Sequence, residues 1–291
     1  FKTSFLQLMG PLGILASTIQ ISILQNHLTT EQFLDWGWRV PFWVSLFLLV
    51  VAFYARRSIE ETPAFLELSK KGQTESQLLN NFKDKEIRKR MLLLFLCVSS
   101  SGAILFFCVQ VYTGIFLKTS VKLEPALVDK LSILATCALL PLTIFCGWLS
   151  DLYGRKSVVL SGIILGAVFI YPSFRMLEKL GITYIEIGSP STLLSIFGIL
   201  VFLAILLALV VGPQTALLAE FFPAKNRNSA ATVPHNLAAG WVGGLLPFII
   251  TWLNQTIDGN LAGLWYPVIF LGIAGMIALR FFPETKSRNL L

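Results

Sequence analysis

The stretch Gly147-Trp148-Leu149-Ser150-Asp151-Leu152-Tyr153-Gly154-Arg155-Lys156 joins two apolar runs, Leu131–Leu149 and Val158–Leu177. Each run is close to the roughly 20 residues that a helix needs to cross a hydrocarbon core. The charges are therefore confined to a very short turn between two membrane spans. Gly147 lets helices approach closely, and Gly154 permits a tight turn. Asp151 suits the amide end of a neighbouring helix, and Arg155 suits a carboxylate partner. The bland alternative is an ordinary charged turn, which requires no such residues at fixed spacing.

Working outward, six more apolar runs appear: Phe5–Leu24, Val40–Ala55, Met91–Leu117, Leu193–Ala219, Ala231–Leu253 and Leu264–Phe281. The second is short, but Trp36, Trp38 and Trp43 at one end and Tyr54 at the other serve as interfacial anchors. Backbone polar groups in lipid must be paired within their own segment, so the runs predict helices. The fold class expected is an all-α, polytopic membrane protein with eight transmembrane helices. Composition agrees. Of 291 residues, 55% are hydrophobic and 13% charged, against about 25% charged in soluble chains. This excludes a soluble enzyme, a disordered tail, a collagen-like rod and a disulfide-stapled secreted domain. Continuous runs, not short alternating strands, argue against a transmembrane barrel.

Eight spans put both chain ends on one side. Seventeen Lys and Arg fall on the side of Lys2, Arg155 and Arg280, and six fall opposite, at Arg39, Lys118, Lys122, Lys130, Arg175 and Lys179. The richer side is expected to be cytoplasmic. The net charge of +7 gathers in loops beside apolar runs. It therefore points to anionic lipid headgroups at that face, not to nucleic acid. Cys97, Cys108, Cys137 and Cys146 sit inside apolar runs without a CxxC, so packing is expected of them and neither a disulfide nor a metal site. The chain begins at Phe1 without the marks of a cleavable signal peptide, and upstream sequence is expected.

The Arg56–Arg90 loop holds 15 of the 39 charged residues. Thr62-Pro63 marks a helix start that Gly72 could end. Leu78, Leu79, Phe82 and Ile87 among basic residues fit a second helix lying on the membrane surface. A solvated linker between two bundles fits the same residues.

The first two spans echo the last two. Gly10-x-x-Gly13 recurs as Gly240-x-x-Gly243, Pro41 as Pro267, and Arg56-Arg57…Glu61-Thr62-Pro63 as Arg280…Pro283-Glu284-Thr285. Parallel six-helix repeats are a transporter plan. The organisation expected is residues 1–55 as the last two helices of an N-terminal repeat, 56–90 as the inter-bundle loop, and 91–291 as a complete C-terminal six-helix repeat with a short tail.

Three motifs carry a family resemblance. The Gly147–Lys156 turn resembles the G-x-L-x-D-x-x-G-R-[KR] signature of the major facilitator superfamily, with Leu152 where a basic residue is common. Gly212-Pro213-Gln214…Glu220-Phe221-Phe222-Pro223…Arg227 is the second. Trp36-Gly37-Trp38-Arg39-Val40-Pro41-Phe42, followed by Arg57…Glu60-Glu61-Thr62-Pro63-Ala64-Phe65, resembles the metabolite:proton symporter branch, which includes shikimate, 2-oxoglutarate, citrate and proline or betaine transporters. Sugar porters share the Pro283-Glu284-Thr285 tail but typically differ after helix six. The resemblance covers essentially the whole chain from helix five onward, a partial major-facilitator fold.

The resemblance implies a proton-coupled secondary transporter of a small organic acid or zwitterion, working by alternating access. It implies a multi-pass protein of the bacterial inner membrane, acting as a monomer on a small molecule. No cofactor is expected beyond the proton gradient as energy source, and no metal. A gate is expected at Gly147, Asp151, Gly154, Arg155, Glu220 and Arg227, with Arg155, Glu220 and Arg227 clustered and Asp151 capping a helix. The alternative role for the cluster is a static topology anchor. Candidate cavity residues are Gln20, Phe106, Gln110, Thr113, Gln214, His235 and Asn236. Amides stranded in lipid are costly, which favours Gln110 and Gln214. His235 either titrates near neutral pH or is an interfacial histidine. No carboxylate lies mid-span, so a proton-coupling residue is expected in upstream helices. Other readings are coupling through His235, a uniporter, a sugar-type facilitator, or an inactive remnant. A membrane enzyme lacks its His, Asp or Ser constellation, a channel its charged ring, and an ATP motor its phosphate loop.

Overall fold

The computed structural model describes residues 2–58, 82–223, 227–257, 259 and 261–286. Thr62-Pro63, Gly72, Leu78 and Leu79, where helix ends and a surface helix are expected, lie outside the described residues. Eight helices are long and apolar enough to cross a membrane: α1 (Ser4–His27), α2 (Gly37–Arg57), α3 (Lys85–Thr119), α4 (Pro125–Tyr153), α5 (Arg155–Ile187), α6 (Pro190–Phe221), α7 (Asn228–Thr256) and α8 (Ala262–Phe281). They match the eight predicted runs one for one, and no strand occurs among the described residues. The helices outrun the apolar stretches because polar turns extend them. Asp84 caps α3, accepting from the amides of Glu86 at 2.9 Å and Ile87 at 3.3 Å, so Lys85–Arg90 form its first turns.

The chain divides into two compact units, Phe1–Pro11 with Leu78–Leu291, and Leu12–Gln77. In the smaller unit, the short helix Thr30–Asp35 opens on a reciprocal cap between Thr29 and Gln32. Its α2 segment Val40–Arg57 buries no residue and exposes Phe42, Trp43, Phe47 and Leu49. Such an apolar exterior is what lipid, as solvent, requires.

In the larger unit, α6 packs against both α4 and α5, and α5 packs against α8. Small residues set these distances. A methyl group at Gly212 would lie 2.6 Å from the Thr143 carbonyl oxygen and 3.0 Å from the Gly147 nitrogen. The backbones of α4 and α6 are therefore in contact, as close helix pairs in membranes require. The core includes Leu139, Ile163, Ile170, Leu203 and Leu207, with the rings of Tyr112, Phe116 and Phe174 packed in tilted and edge-to-face pairs 5.2–6.2 Å apart. Tyr112 accepts a hydrogen bond from Asn254 at 3.1 Å, and Asn254 accepts one from the Gly263 amide at 2.6 Å, tying α3, α7 and the start of α8.

Helix α3 carries π-helical turns at Leu94–Ser99 and Phe107–Tyr112, and α7 carries one at Ala238–Gly243. Pro141, Pro172 and Pro213 stand inside continuous helices. Helix α6 runs continuously through Pro213, and Ser4 of α1 donates to the adjacent Gly212 carbonyl at 2.9 Å. The four cysteines are free thiols, three buried and Cys137 exposed.

Candidate functional site

The site grows from Gly154. Helix α4 ends at Tyr153 and α5 starts at Arg155, so one residue makes the whole turn. Its φ of 98° is a conformation that side chains disfavour, and a methyl group there would lie 2.6 Å from a Glu284 carboxylate oxygen. The turn drives the Arg155 side chain back between α4 and α6, where the residue is only 9% exposed.

A guanidinium in that position needs partners for its donors. Arg155 bonds Asp151 one turn back on α4 and donates to the Ser150 hydroxyl at 2.7 Å. It grips both Glu220 oxygens, through Nε at 3.3 Å and Nη2 at 3.2 Å. This two-point fork is the geometry that distinguishes Arg from Lys. Glu220 also accepts from Thr285 Oγ1 at 2.9 Å, which brings in the segment after α8.

That segment supplies a second lock. The Glu284 carboxylate accepts the amides of Arg155 at 2.8 Å and Lys156 at 3.1 Å, two of the unpaired donors of the first turn of α5. It also accepts from the amides of Thr285 and Lys286. Burial pushes its pKa up, but the backbone donors of Lys286, Arg155, Thr285 and Lys156 outweigh it and hold the carboxyl below its ordinary value. Lys156 Nζ donates to the Leu279 carbonyl and Lys286 Nζ to the Leu152 carbonyl. Phe221 and Phe282 stack at 4.9 Å beside the cluster. The arrangement ties the α4–α5 turn, the end of α6 and the segment after α8 to one another.

Arg155, Asp151 and Glu220 are thus brought together, with Gly147 at the α4–α6 contact and Gly154 at the turn. Asp151, expected to cap a helix, instead pairs with Arg155. Glu284 takes the N-terminus of α5, because the segment after α8 runs directly beneath it. The Arg227 side chain lies outside the described residues. Ser150, Glu284 and Thr285 are not among the residues predicted for the site.

Within the larger unit, Gln110 and Thr113 line one space and His235 another. Gln110 accepts from Thr136 at 3.1 Å, and Thr113 donates to the Cys108 carbonyl at 3.0 Å. Both border a void of about 20 Å³ between α3, α4 and α6, room for about one water. Phe106 packs edge-on against Phe107 at 5.7 Å. Gln214 is buried beside Gly102, its amide nitrogen unpartnered. His235 lines a cleft of about 410 Å³ with Thr215, Asn228 and Thr232, its Nδ1 buried and unpartnered. Asn236 is exposed. Gln20 belongs to the smaller unit, in a cleft of about 430 Å³ with Trp38 and Phe42, its Oε1 unpartnered.

A polytopic helical bundle with a charge cluster clasping a one-residue turn defines the class as a multi-span helical membrane protein. Residues 1–291 match the family described as "Sugar (and other) transporter", and the chain belongs to that family within the major facilitator superfamily. It is similar to the inner membrane metabolite transport protein YhjE of Escherichia coli (strain K12), at 29% identity over 99% of this chain and 63% of that protein. It is also similar to that organism's shikimate transporter, at 28% identity over 95% of this chain and 60% of that protein. The proline/betaine transporter of the same organism matches at 25% identity over 100% of this chain and 57% of that protein. Among solved structures, the proton:xylose symporter XylE has the same fold, with a TM-score of 0.63 at 19% identity over 99% of this chain and 65% of that one. The chain spans about three-fifths of the length of these curated relatives.

Proposed function

We propose that this chain is the larger part of a secondary active transporter that moves a small organic acid or zwitterion by alternating access, driven by the proton gradient. The observation that carries the reading is the Arg155–Asp151–Glu220 cluster, locked by Glu284 and Thr285. Its bonds cross between segments, so sliding α6 or the tail relative to the α4–α5 turn breaks several at once. That is the all-or-none behaviour a gate needs. By the excess of Lys and Arg, this end of the bundle faces the cytoplasm, and the cluster holds the cytoplasmic side shut.

The proposed substrate class is supported by the curated relatives, which include a shikimate and a proline/betaine transporter. The sugar-type fold neighbour favours a sugar facilitator as the second reading. In the larger unit, the Gln214 amide and the His235 imidazole, each with an unpartnered buried atom, are the polar groups proposed to meet substrate.

The test uses the full-length protein in cells or proteoliposomes. A panel of labelled shikimate, dicarboxylates, proline, betaine and xylose should identify an accumulated organic acid or zwitterion. An uncoupler should abolish that accumulation. Accumulation that persists without a proton gradient refutes proton coupling, and uptake of xylose alone establishes the sugar reading.

A further inference from the structure

Where α3 enters the membrane, a cleft of about 230 Å³ opens between its first turns and the start of α7. Its walls include Phe82, Leu92, Phe95, Val233 and Leu237, and the one charged residue lining it is Arg88. Phe82, Leu92 and Leu237 are each more than two-fifths exposed, so the cleft opens outward from the bundle. Helix α4 runs back from α3, and α6 leads into α7, so this is the end of the bundle that carries the Arg155 cluster.

Depth follows from helix rise. Arg88 stands three positions before Met91, the first residue of the apolar run. At 1.5 Å per residue that is about 4–5 Å outside it, and Phe95 lies about 6 Å inside. The headgroup layer is about 5–7 Å deep on each side of the hydrocarbon. Arg88 is therefore level with headgroups, and Phe95 with acyl chains. Arg88 Nη1 donates to the Phe82 carbonyl at 3.4 Å, a long bond that keeps the guanidinium at the cleft and leaves its other donors without a partner among the described residues. The segment 82–90 holds five cations and two carboxylates. Both carboxylates are engaged, Asp84 with the amides of Glu86 and Ile87, and Glu86 with Arg90 at 3.1 Å. Lys83, Lys85 and Lys89 are exposed and make no ion pair among the described residues.

We infer that this cleft is a binding site for an anionic glycerophospholipid. Arg88 supplies donors for the phosphate, and the surplus of cations around it suits a headgroup without an amine. Leu92, Phe95 and Leu237 present apolar surface to an acyl chain. A zwitterionic headgroup would bring its ammonium toward these cations, with no carboxylate lining the cleft to receive it. A soluble anion would leave the apolar walls uncovered.

The test reconstitutes the full-length protein in nanodiscs of equal phosphatidylglycerol and phosphatidylcholine, and counts co-released lipid by native mass spectrometry. Phosphatidylglycerol should be retained about fivefold over phosphatidylcholine, the preference that one Lys or Arg confers toward an anionic surface. Arg88→Gln should bring the ratio close to one, and Arg88→Lys, which keeps a cation for the phosphate, should retain most of it. Leu92→Trp, which fills the cleft from an exposed position, should lower it as well. Arg280→Gln removes the same charge at the same end of the bundle but outside the cleft, and should leave the ratio unchanged. Equal retention of the two lipids, no effect of Arg88→Gln or Leu92→Trp, or an equal loss with Arg280→Gln overturns the inference. Displacement of the lipid by millimolar glycerol phosphate would show that the site takes a soluble phosphate, and overturns the assignment to a lipid.

Discussion

Replacing Arg155 by Ala tests the gate most directly. The substitution removes four hydrogen bonds made by one guanidinium, to Asp151, to Ser150 and to both oxygens of Glu220. It leaves two carboxylates facing each other without their cation. Breaking a buried pair by deleting one partner costs about 3–5 kcal/mol. The Asp151 side chain is 33% exposed and that of Glu220 18%, so water recovers part of that. About 2–4 kcal/mol remains, which shifts a two-state equilibrium by roughly 30- to 700-fold. If the closed state depends on this cluster, the full-length variant should lose at least nine-tenths of its initial uptake rate at unchanged membrane abundance. Arg155→Lys keeps the charge but not the two-point grip, so its rate should fall between the two. Wild-type uptake by a correctly inserted Arg155→Ala protein would refute the gate. A large fall in thermal midpoint with normal transport would identify the cluster as a static anchor.

Three further outcomes are expected. Gly154→Ala forces a side chain into a positive-φ turn against Glu284 and should destabilise the protein by about 1–3 kcal/mol, read as a lower thermal midpoint. Glu284→Gln tests the second lock through pH. The lowered pKa of Glu284 means that its contribution is present above the ordinary carboxylate value and is lost as pH falls through the lowered one. The stability gap between wild type and Glu284→Gln should therefore close on acidification, and a gap independent of pH would refute the role. Gly212→Val should separate α4 from α6, given a Thr143 carbonyl 2.6 Å from the added carbon; unchanged uptake and thermal midpoint would count against backbone contact there.

How much was legible in the sequence depended on the range of the physics. The eight spans follow from a local constraint, since every backbone amide in lipid must find its partner within its own helix. Pairing of Arg155 with Glu220, 65 residues away, was also within reach, because an ionised group at a helix end in a membrane demands a counter-charge. Glu284 was not. It is visible in the sequence as part of a Pro-Glu-Thr tail motif, with nothing to show that the tail passes under the N-terminus of α5. Ser150 and Thr285 escaped for a similar reason, since a hydroxyl in a helix or tail is satisfied by its own backbone as readily as by a charge. For Gln110 the expectation of an open cavity met a bond to Thr136 and room for one water.

The sequence by itself determined the solvent of this protein, the number of its spans, the one-residue turn at Gly154 and the family to which it belongs. These depend on composition and on neighbours in the chain. Tertiary structure alone decided that Asp151 and Glu220 share one arginine, that Glu284 caps α5, and that Tyr171, Trp265 and Glu178 line one cleft. Those pairings join residues separated by up to 129 positions, and only the packing of small residues between helices sets which of them meet.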